Sequence, residues 1–399
     1  MNVPIKRLIV EERAAGDELT VRLHKLLPDV PVEIVESARN AIAENTRGKD
    51  SIILAHHEGA FVKDFPVTTG SPPCGEKYVL TMLNCPFSCT YCYLQSYLEH
   101  SRIVVFTNMD KMKREIADSL STAQPKRVTT GEMGDSLALD HLTGISLVLL
   151  PLFTGTDTLF EVRTKSDQID HLLAYVTDKQ PVTGRDRHHP AHATPAGIQG
   201  RGSKENLLIT WTLGPEEAIR REEPGAVSLD ERLRAMKRAR DAGIKVAVRF
   251  DPIIPFYANL DAYDHLIGRL SGTVDLGGLH HLELGVLRFP PGLWERVHER
   301  NPRSPLLHGE YLRDRDGKIR FYRPMRVALY RETVRLIRAR CSGVPIELSM
   351  ENCSVWEDAG LEPPISSRVP LRDHKTGMKT PMTENTMPHD HDAGVRRSK

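Results

Sequence analysis

Cysteine is scarce in this 399-residue chain, and its six copies are unevenly spread. Cys74, Cys341 and Cys353 stand alone, and none lies between Cys92 and Cys341. No second C-x2-C pair exists, which disfavours a closed structural zinc site built from two such pairs. Lone thiols without a secretory context suit a reducing cytoplasm, where disulfides do not persist. Long apolar runs are missing too: nothing approaches the roughly 20 residues of a membrane span. The first residues, Met1 to Arg7, lack the apolar core of a signal peptide. Charge of one sign is also lacking, since 54 Lys/Arg against 53 Asp/Glu leave a net charge of +1. There is therefore no global pull toward nucleic acid or a lipid surface. The composition, 40% hydrophobic and 27% charged, is that of an ordinary soluble protein. Its length suffices for one large α/β domain or two medium ones. A cytoplasmic protein with no membrane association is expected.

What is present is concentrated in one place. Cys85, Cys89 and Cys92 fall at C-x3-C-x2-C spacing, directly after the apolar run Tyr78–Leu83, which reads as a buried strand. Thiolates are the usual protein ligands of iron–sulfur clusters, and a cubane takes four. Three cysteines on one short loop can hold three irons and leave the fourth open to a small chelating ligand. A zinc site and incidental cysteines are the competing readings, and the spacing favours the cluster.

The chain around the loop alternates strands and helices. Candidate strands are 77–83, 102–106, 126–130, 158–164, 207–212, 244–250 and 279–284, and helices are 109–120, 139–150, 166–175, 228–242 and 258–270. Such alternation argues for parallel βα units. The expected architecture is α/β: a partial (β/α)6 TIM-type barrel over 76–290, with an N-terminal α/β layer over 1–75. A helix–strand extension over 291–362 and a disordered tail over 363–399 complete it. Residues 176–206 break the pattern and read as a flexible insertion. The insertion's histidines, His188, His189 and His192, lack the periodic scaffold of a metal site. His56 and His57 read as loop or packing residues.

Sites in parallel α/β sheets lie at the carboxyl ends of strands, and the cysteine loop follows the first. The other strand ends then supply the candidates. Gly131 and Glu132 close one strand, with glycine permitting close backbone approach. Glu161 to Ser166 closes the next, and Arg249 with Asp251 a later one.

The phrase from Asn84 to Gln95 resembles the radical S-adenosylmethionine superfamily, and within it spore photoproduct lyase and its relatives. The likeness extends over roughly residues 50 to 358, through Phe160–Leu173 and Glu223-Pro224-Gly225. It implies a 4Fe–4S cluster on Cys85, Cys89 and Cys92. In the superfamily S-adenosylmethionine chelates the open iron, and one electron cleaves it to methionine and a hydrogen-abstracting 5′-deoxyadenosyl radical. Gly131 and Glu132 resemble the superfamily's Gly-Gly-Glu motif, with Thr130 in place of the first glycine. They and Lys165, Ser166, Arg249 and Asp251 are the candidate S-adenosylmethionine-binding residues, Lys165 as partner of the methionine carboxylate. Tyr91 and Tyr93 resemble the tyrosines of the family's hydrogen relay and are the catalytic candidates. The resemblance further implies a flavodoxin- or ferredoxin-type reductant, lyase chemistry and a DNA lesion as substrate. Residues 313–340, with ten Arg/Lys against three Asp/Glu, are the candidate DNA-facing segment. One departure stands out: the family's hydrogen-donor cysteine beyond the cluster loop is absent, and Thr129–Ser136 offers Glu132 there. Alternatives are a paralogue acting on a non-lesion substrate and a non-catalytic iron–sulfur protein that binds nucleic acid.

Overall fold

Apolar runs too short for core helices become buried strands here. The computed structural model describes residues 5–43, 48–68, 70–72, 74–177, 203–257 and 260–364. Its strands are β1 (Arg7–Glu11), β2 (Val32–Val35), β3 (Ser51–Ala55), β4 (Val62–Asp64), β5 (Glu76–Val79), β6 (Met82–Leu83), β7 (Ile103–Phe106) and β8 (Arg127–Thr129). They continue as β9 (Leu159–Thr164), β10 (Leu207–Thr212), β11 (Lys245–Ile253), β12 (Leu282–Val286), β13 (Arg288–Phe289), β14 (Tyr311–Arg313), β15 (Ile319–Phe321) and β16 (Ile346–Leu348).

The large sheet runs β16-β12-β11-β10-β9-β8-β5-β4. Every pairing in it is parallel except β4 on β5. It is a curled half-barrel of the partial TIM type, with the βα order expected from the sequence. Helices between the strands cover its outer face. Leu229–Asp241 shows how sequence sets one of them. Ser228 Oγ accepts from the Glu231 N–H while the Glu231 carboxylate takes the Ser228 N–H at 2.7 Å, a reciprocal cap that stabilises by about 1 kcal/mol. Leu229, Leu233, Met236 and Ala239 are its buried stripe, and Gly243 ends it with a left-handed φ of 78°.

Two strand expectations need correction. The run Tyr78–Leu83 is not one strand: Leu80 bonds across to Phe61 O at 2.9 Å, and the chain leaves the large sheet there. Its second half, β6, pairs antiparallel with β7 in a second sheet, ordered β2-β1-β3-β7-β6. The run 102–106 is thus not a barrel strand but lies beside β3. Ile103 to Phe106 are buried throughout, so the run carries no face pattern to say which sheet it joins. The sheets also do not divide at residue 75, since β4 joins the large one and β6 and β7 the small one. The strand near 346 extends the half-barrel on β12, and β13-β15-β14 form a small antiparallel sheet. Among the described residues no helix is long and apolar enough to cross a membrane. Residues 178–202, with the three insertion histidines, and the tail beyond 364 lie outside the described residues.

Candidate functional site

Asn84 turns the chain out of β6 with φ at 64°, a conformation Asn tolerates better than branched residues. Its side-chain amide donates to the carbonyls of His100 and Arg102 at 3.1 and 3.0 Å. The loop's entry is thereby tied to the segment that leads into β7. Beyond it, the backbone N–H groups of Ser88 and Thr90 donate to the carbonyls of Pro224 and Glu222 at 2.8 and 2.9 Å. Gln95 Nε2 donates to the carbonyls of Cys89 and Thr90 at 2.7 and 3.1 Å. From the opposite side Lys49 donates to the Phe87 carbonyl.

Cys89 is buried, and Cys85 and Cys92 are half-buried. Burial pushes the Cys85 thiol up to about 12, with Lys49 opposing, and pushes Cys89 up as well, with Lys165 opposing. The three thiols are within electrostatic reach of one another. Among the described residues no three His, Cys, Asp or Glu side chains gather around a single metal ion. A cubane makes no such demand, because each thiolate takes its own iron.

The strand ends meet the loop from below. Tyr91 donates its hydroxyl to the Glu223 carboxylate, which also pairs with Arg232. Fully buried Arg232 donates to Thr212 O and Val227 O at 2.9 and 3.0 Å. Lys165 Nζ sits 5.7 Å from the centroid of the Tyr91 ring. Burial pulls the Lys165 pKa down, but the Glu223 carboxylate opposes it and the net direction is up. Asp135 collects the N–H groups of Leu137, Ala138 and Lys165 at 3.0, 2.9 and 2.6 Å, and Thr164 Oγ1 at 2.7 Å. It thereby ties the end of β8 to the end of β9. Ser166, also buried, accepts the Trp211 indole N–H on its carbonyl at 3.0 Å.

Tyr93 donates to Glu132 on the other flank. Burial pushes the Glu132 carboxyl up, against the pull of Arg163 and Arg249. Gly131 is glycine for a packing reason: a Cβ there would lie 2.6 Å from Arg163 Cβ and 3.1 Å from Arg163 O. Arg249 and Asp251 sit within β11, which runs past them to Ile253. Asp251 bridges Arg249 and Arg288 at 2.8 and 2.9 Å.

Inside the half-barrel lies an ionic network. Arg163 pairs with Glu161 and Glu76 at 2.9 and 3.1 Å, and Arg127 with Glu76 and with Glu347. His281 accepts from Arg127 at 3.1 Å. Thr210 Oγ1 donates to Glu161 at 2.6 Å. Some of its atoms are left over. Arg249 Nε and Glu283 Oε2 lie 2.8 Å apart but are too poorly aligned to bond, and Arg163 Nε and NH1 have no acceptor. Three thiols on one loop fit a cluster with an open iron. Buried guanidinium hydrogens and the Glu132 carboxylate beside them fit a ligand bearing both a carboxylate and an ammonium group.

The remaining cysteines are elsewhere. Cys74 lines a cavity of about 190 Å³ beside β5 and β16, with Glu76, Arg127, Glu347 and Trp356. Cys341 is near Gly277, and Cys353 opens the helix Cys353–Asp358. Sequence reasoning overlooked Gln95, Glu222, Arg232, Glu76, His281 and Glu347. For Glu76 and Glu347 the available signal was a charged residue within a short, otherwise largely apolar strand; Gln95, Glu222 and Arg232 lie on helices and carried none.

No protein-family model matches the chain. Spore photoproduct lyase of Geobacillus sp. (strain Y412MC61) is 26% identical over 245 residues, 59% of this chain and 63% of that protein. Among solved structures, a cysteine-to-alanine mutant of spore photoproduct lyase with dinucleoside spore photoproduct matches with a TM-score of 0.68. That likeness covers 86% of this chain and 98% of the other, at 20% identity. The chain is similar to spore photoproduct lyase in sequence over part of its length and in fold over most of it. The match spans less than two thirds of the curated relative's length, 63%. Spore photoproduct lyase complexed with dinucleoside spore photoproduct matches with a TM-score of 0.67 and 19% identity, over 87% of this chain and 100% of the other. A double mutant with bound AdoMet and the same dinucleoside matches with a TM-score of 0.67 and 19% identity, over 86% and 97%. The shared fold is the half-barrel described above.

Proposed function

We propose that this chain is a radical S-adenosylmethionine enzyme of the spore-photoproduct-lyase-like group. Cys85, Cys89 and Cys92 would hold a 4Fe–4S cluster, and S-adenosylmethionine would lie against Gly131, Glu132, Lys165, Ser166, Arg249 and Asp251. Bound together, the two supply a 5′-deoxyadenosyl radical for hydrogen abstraction. The chain's own residues bind and orient. Lys165, kept charged by Glu223, offers an ammonium to the cofactor's carboxylate, and Glu132 offers a carboxylate to its amino group. Tyr91 and Tyr93 stand between loop and strand ends, placed to pass a hydrogen atom. Their placement is the observation that carries the reading: each hydroxyl bonds a glutamate, Tyr91 to Glu223 at the end of the helix Glu216–Glu222 and Tyr93 to Glu132 just beyond β8.

The substrate is the finer part of the proposal. Glu132 occupies the region of the family's donor cysteine, so clean repair of spore photoproduct lacks its thiol, and another substrate is favoured. Contact with nucleic acid through 313–340 would fall to the exposed cations Arg313, Arg315, Arg323, Arg331, Arg335 and Arg340. Arg320 and Arg326 are committed to Asp316 and Glu351, whereas Arg313 and Arg315 are exposed on the β14–β15 hairpin. A flavodoxin- or ferredoxin-type protein is the proposed reductant. The test is chemical: anaerobically reconstituted, reduced protein should convert S-adenosylmethionine to 5′-deoxyadenosine. Intact cofactor after prolonged reduction of a fully loaded cluster would leave only the binding-protein alternative.

A further inference from the structure

We propose that Glu222-Glu223-Pro224 is a strap that fixes the cysteine loop before any cluster arrives, with Glu223 as its positioning residue. The inference rests on the cluster reading only for its consequence; the strap itself is a matter of packing. Two backbone bonds join loop and strap, Ser88 N–H to Pro224 O and Thr90 N–H to Glu222 O, at 2.8 and 2.9 Å. They bracket Cys89 as two neighbouring bonds of a strand pairing would. Side chains add two anchors. The Glu222 carboxylate accepts from Thr90 Oγ1 on one oxygen and from Tyr257 OH at 2.6 Å on the other. The Glu223 carboxylate joins Tyr91, which lies between Cys89 and Cys92, to Arg232.

Arg232 is fully buried, and its bonds to Thr212 O and Val227 O root the strap in the end of β10 and the helix Leu229–Asp241. Gly225 completes the contact. Its φ of 90° is left-handed, which favours glycine, and it packs beside Phe87, where a Cβ would sit in ordinary contact 3.6 Å from Phe87 Cα. A three-cysteine loop hinged only at its ends would sample many thiol separations, and ordering it costs conformational entropy. Here that ordering is done by the fold. Spacing between Cys89 and Cys92 is set through Tyr91, and the electrostatic surroundings of the cluster include the Glu223–Lys165–Arg232 group at fixed range.

Tyr91→Phe and Glu223→Gln test this, alone and combined. Tyr91→Phe deletes the hydroxyl but leaves the Glu223–Arg232 pair intact, so it decides the matter even where Glu223→Gln disturbs folding. In apo full-length protein, the Ser88 and Thr90 amides should exchange at least about tenfold faster in either variant, the scale of one lost charge-assisted hydrogen bond. Amides within β10 should be unchanged. After reconstitution, the cluster's midpoint potential and EPR line shape should differ from wild type. The double variant should be no worse than the worse single one, because both changes act on one link. Loop amides as protected in Tyr91→Phe as in wild type would overturn the strap, and so would additive effects in the double variant. Faster exchange in the apo variants, with a wild type that takes up no iron, would uphold the strap while refuting the cluster reading.

Discussion

The Tyr93 hydroxyl donates to Glu132 twice over, to its backbone carbonyl and to its carboxylate Oε1 at 3.1 Å. A residue next to the third cysteine is thus bonded to the residue proposed to take the cofactor's amino group. Glu132→Ala should therefore weaken S-adenosylmethionine binding by about tenfold or more, the scale of a lost bond to a charged group. Glu132→Gln, which keeps an acceptor, should weaken it less. The readout is the cofactor-induced change in the EPR signal of the reduced cluster. Equal affinities in wild type and Glu132→Ala would remove Glu132 from the binding site.

Each of Cys85→Ala, Cys89→Ala and Cys92→Ala should abolish the cluster's visible absorbance and lower bound iron to background after anaerobic reconstitution. Cys74→Ala should not, because Cys74 lines the separate cavity beside β5 and β16. Normal iron in any one of the three loop variants would sink the assignment.

His281 makes the interior network sensitive to acid. Burial, reinforced by neighbouring Arg127, holds its pKa to about 4, against 6.5 for an ordinary imidazole. The neutral ring is what accepts from Arg127 at 3.1 Å. Because the folded pKa is depressed, the contribution is complete above the unfolded value and disappears as pH falls from 6.5 toward about 4. Urea denaturation of the wild type should thus show stability falling through that window. His281→Asn, which cannot titrate there, should show a shallower fall. Parallel curves would mean that the ring contributes nothing to the pH dependence.

With a spore-photoproduct dinucleotide, the reduced, loaded protein should give poor repair and by-products in place of clean thymines. A thiol suits hydrogen return because its S–H bond is weak and its reactivity high where it is exposed, and no cysteine lies between Cys92 and Cys341. Product analysis by liquid chromatography checks this. Efficient, cofactor-sparing conversion to two thymines would show that Tyr93 or a distant cysteine supplies the hydrogen.

The half-barrel was readable because its strands alternate with amphipathic helices, and those two periods are local properties. Leu229, Leu233 and Met236 announce their helix, and Ser228 with Glu231 announces where it starts. Sheet membership was not readable for Ile103–Phe106, since a strand buried on both faces gives no direction. At the site, spacing marked the three cysteines, and strand ends marked Glu132 and Lys165. Partners separated by a hundred residues or more, such as Tyr91 with Glu223 or Arg127 with His281, left no local trace. Arg127 stood out only as a charge within a short buried strand, which has meaning only once the strands are known to face one interior.

The break at Leu80, where the chain passes from β5 to β6, makes the cysteine loop a bridge. It is entered from β6, and the chain beyond it returns to β7, both in the small sheet, while Glu222-Glu223-Pro224 grips it from the half-barrel. The N-terminal residues are consequently not an appendage that can be trimmed. Cutting at residue 76 would delete β3, the neighbour of β7, and β1 behind it, leaving β6 and β7 as an unsupported pair. The half-barrel alone is not the portable unit for grafting this loop into another scaffold. The minimal graft is instead both sheets together, because the loop's two ends and its middle answer to different ones.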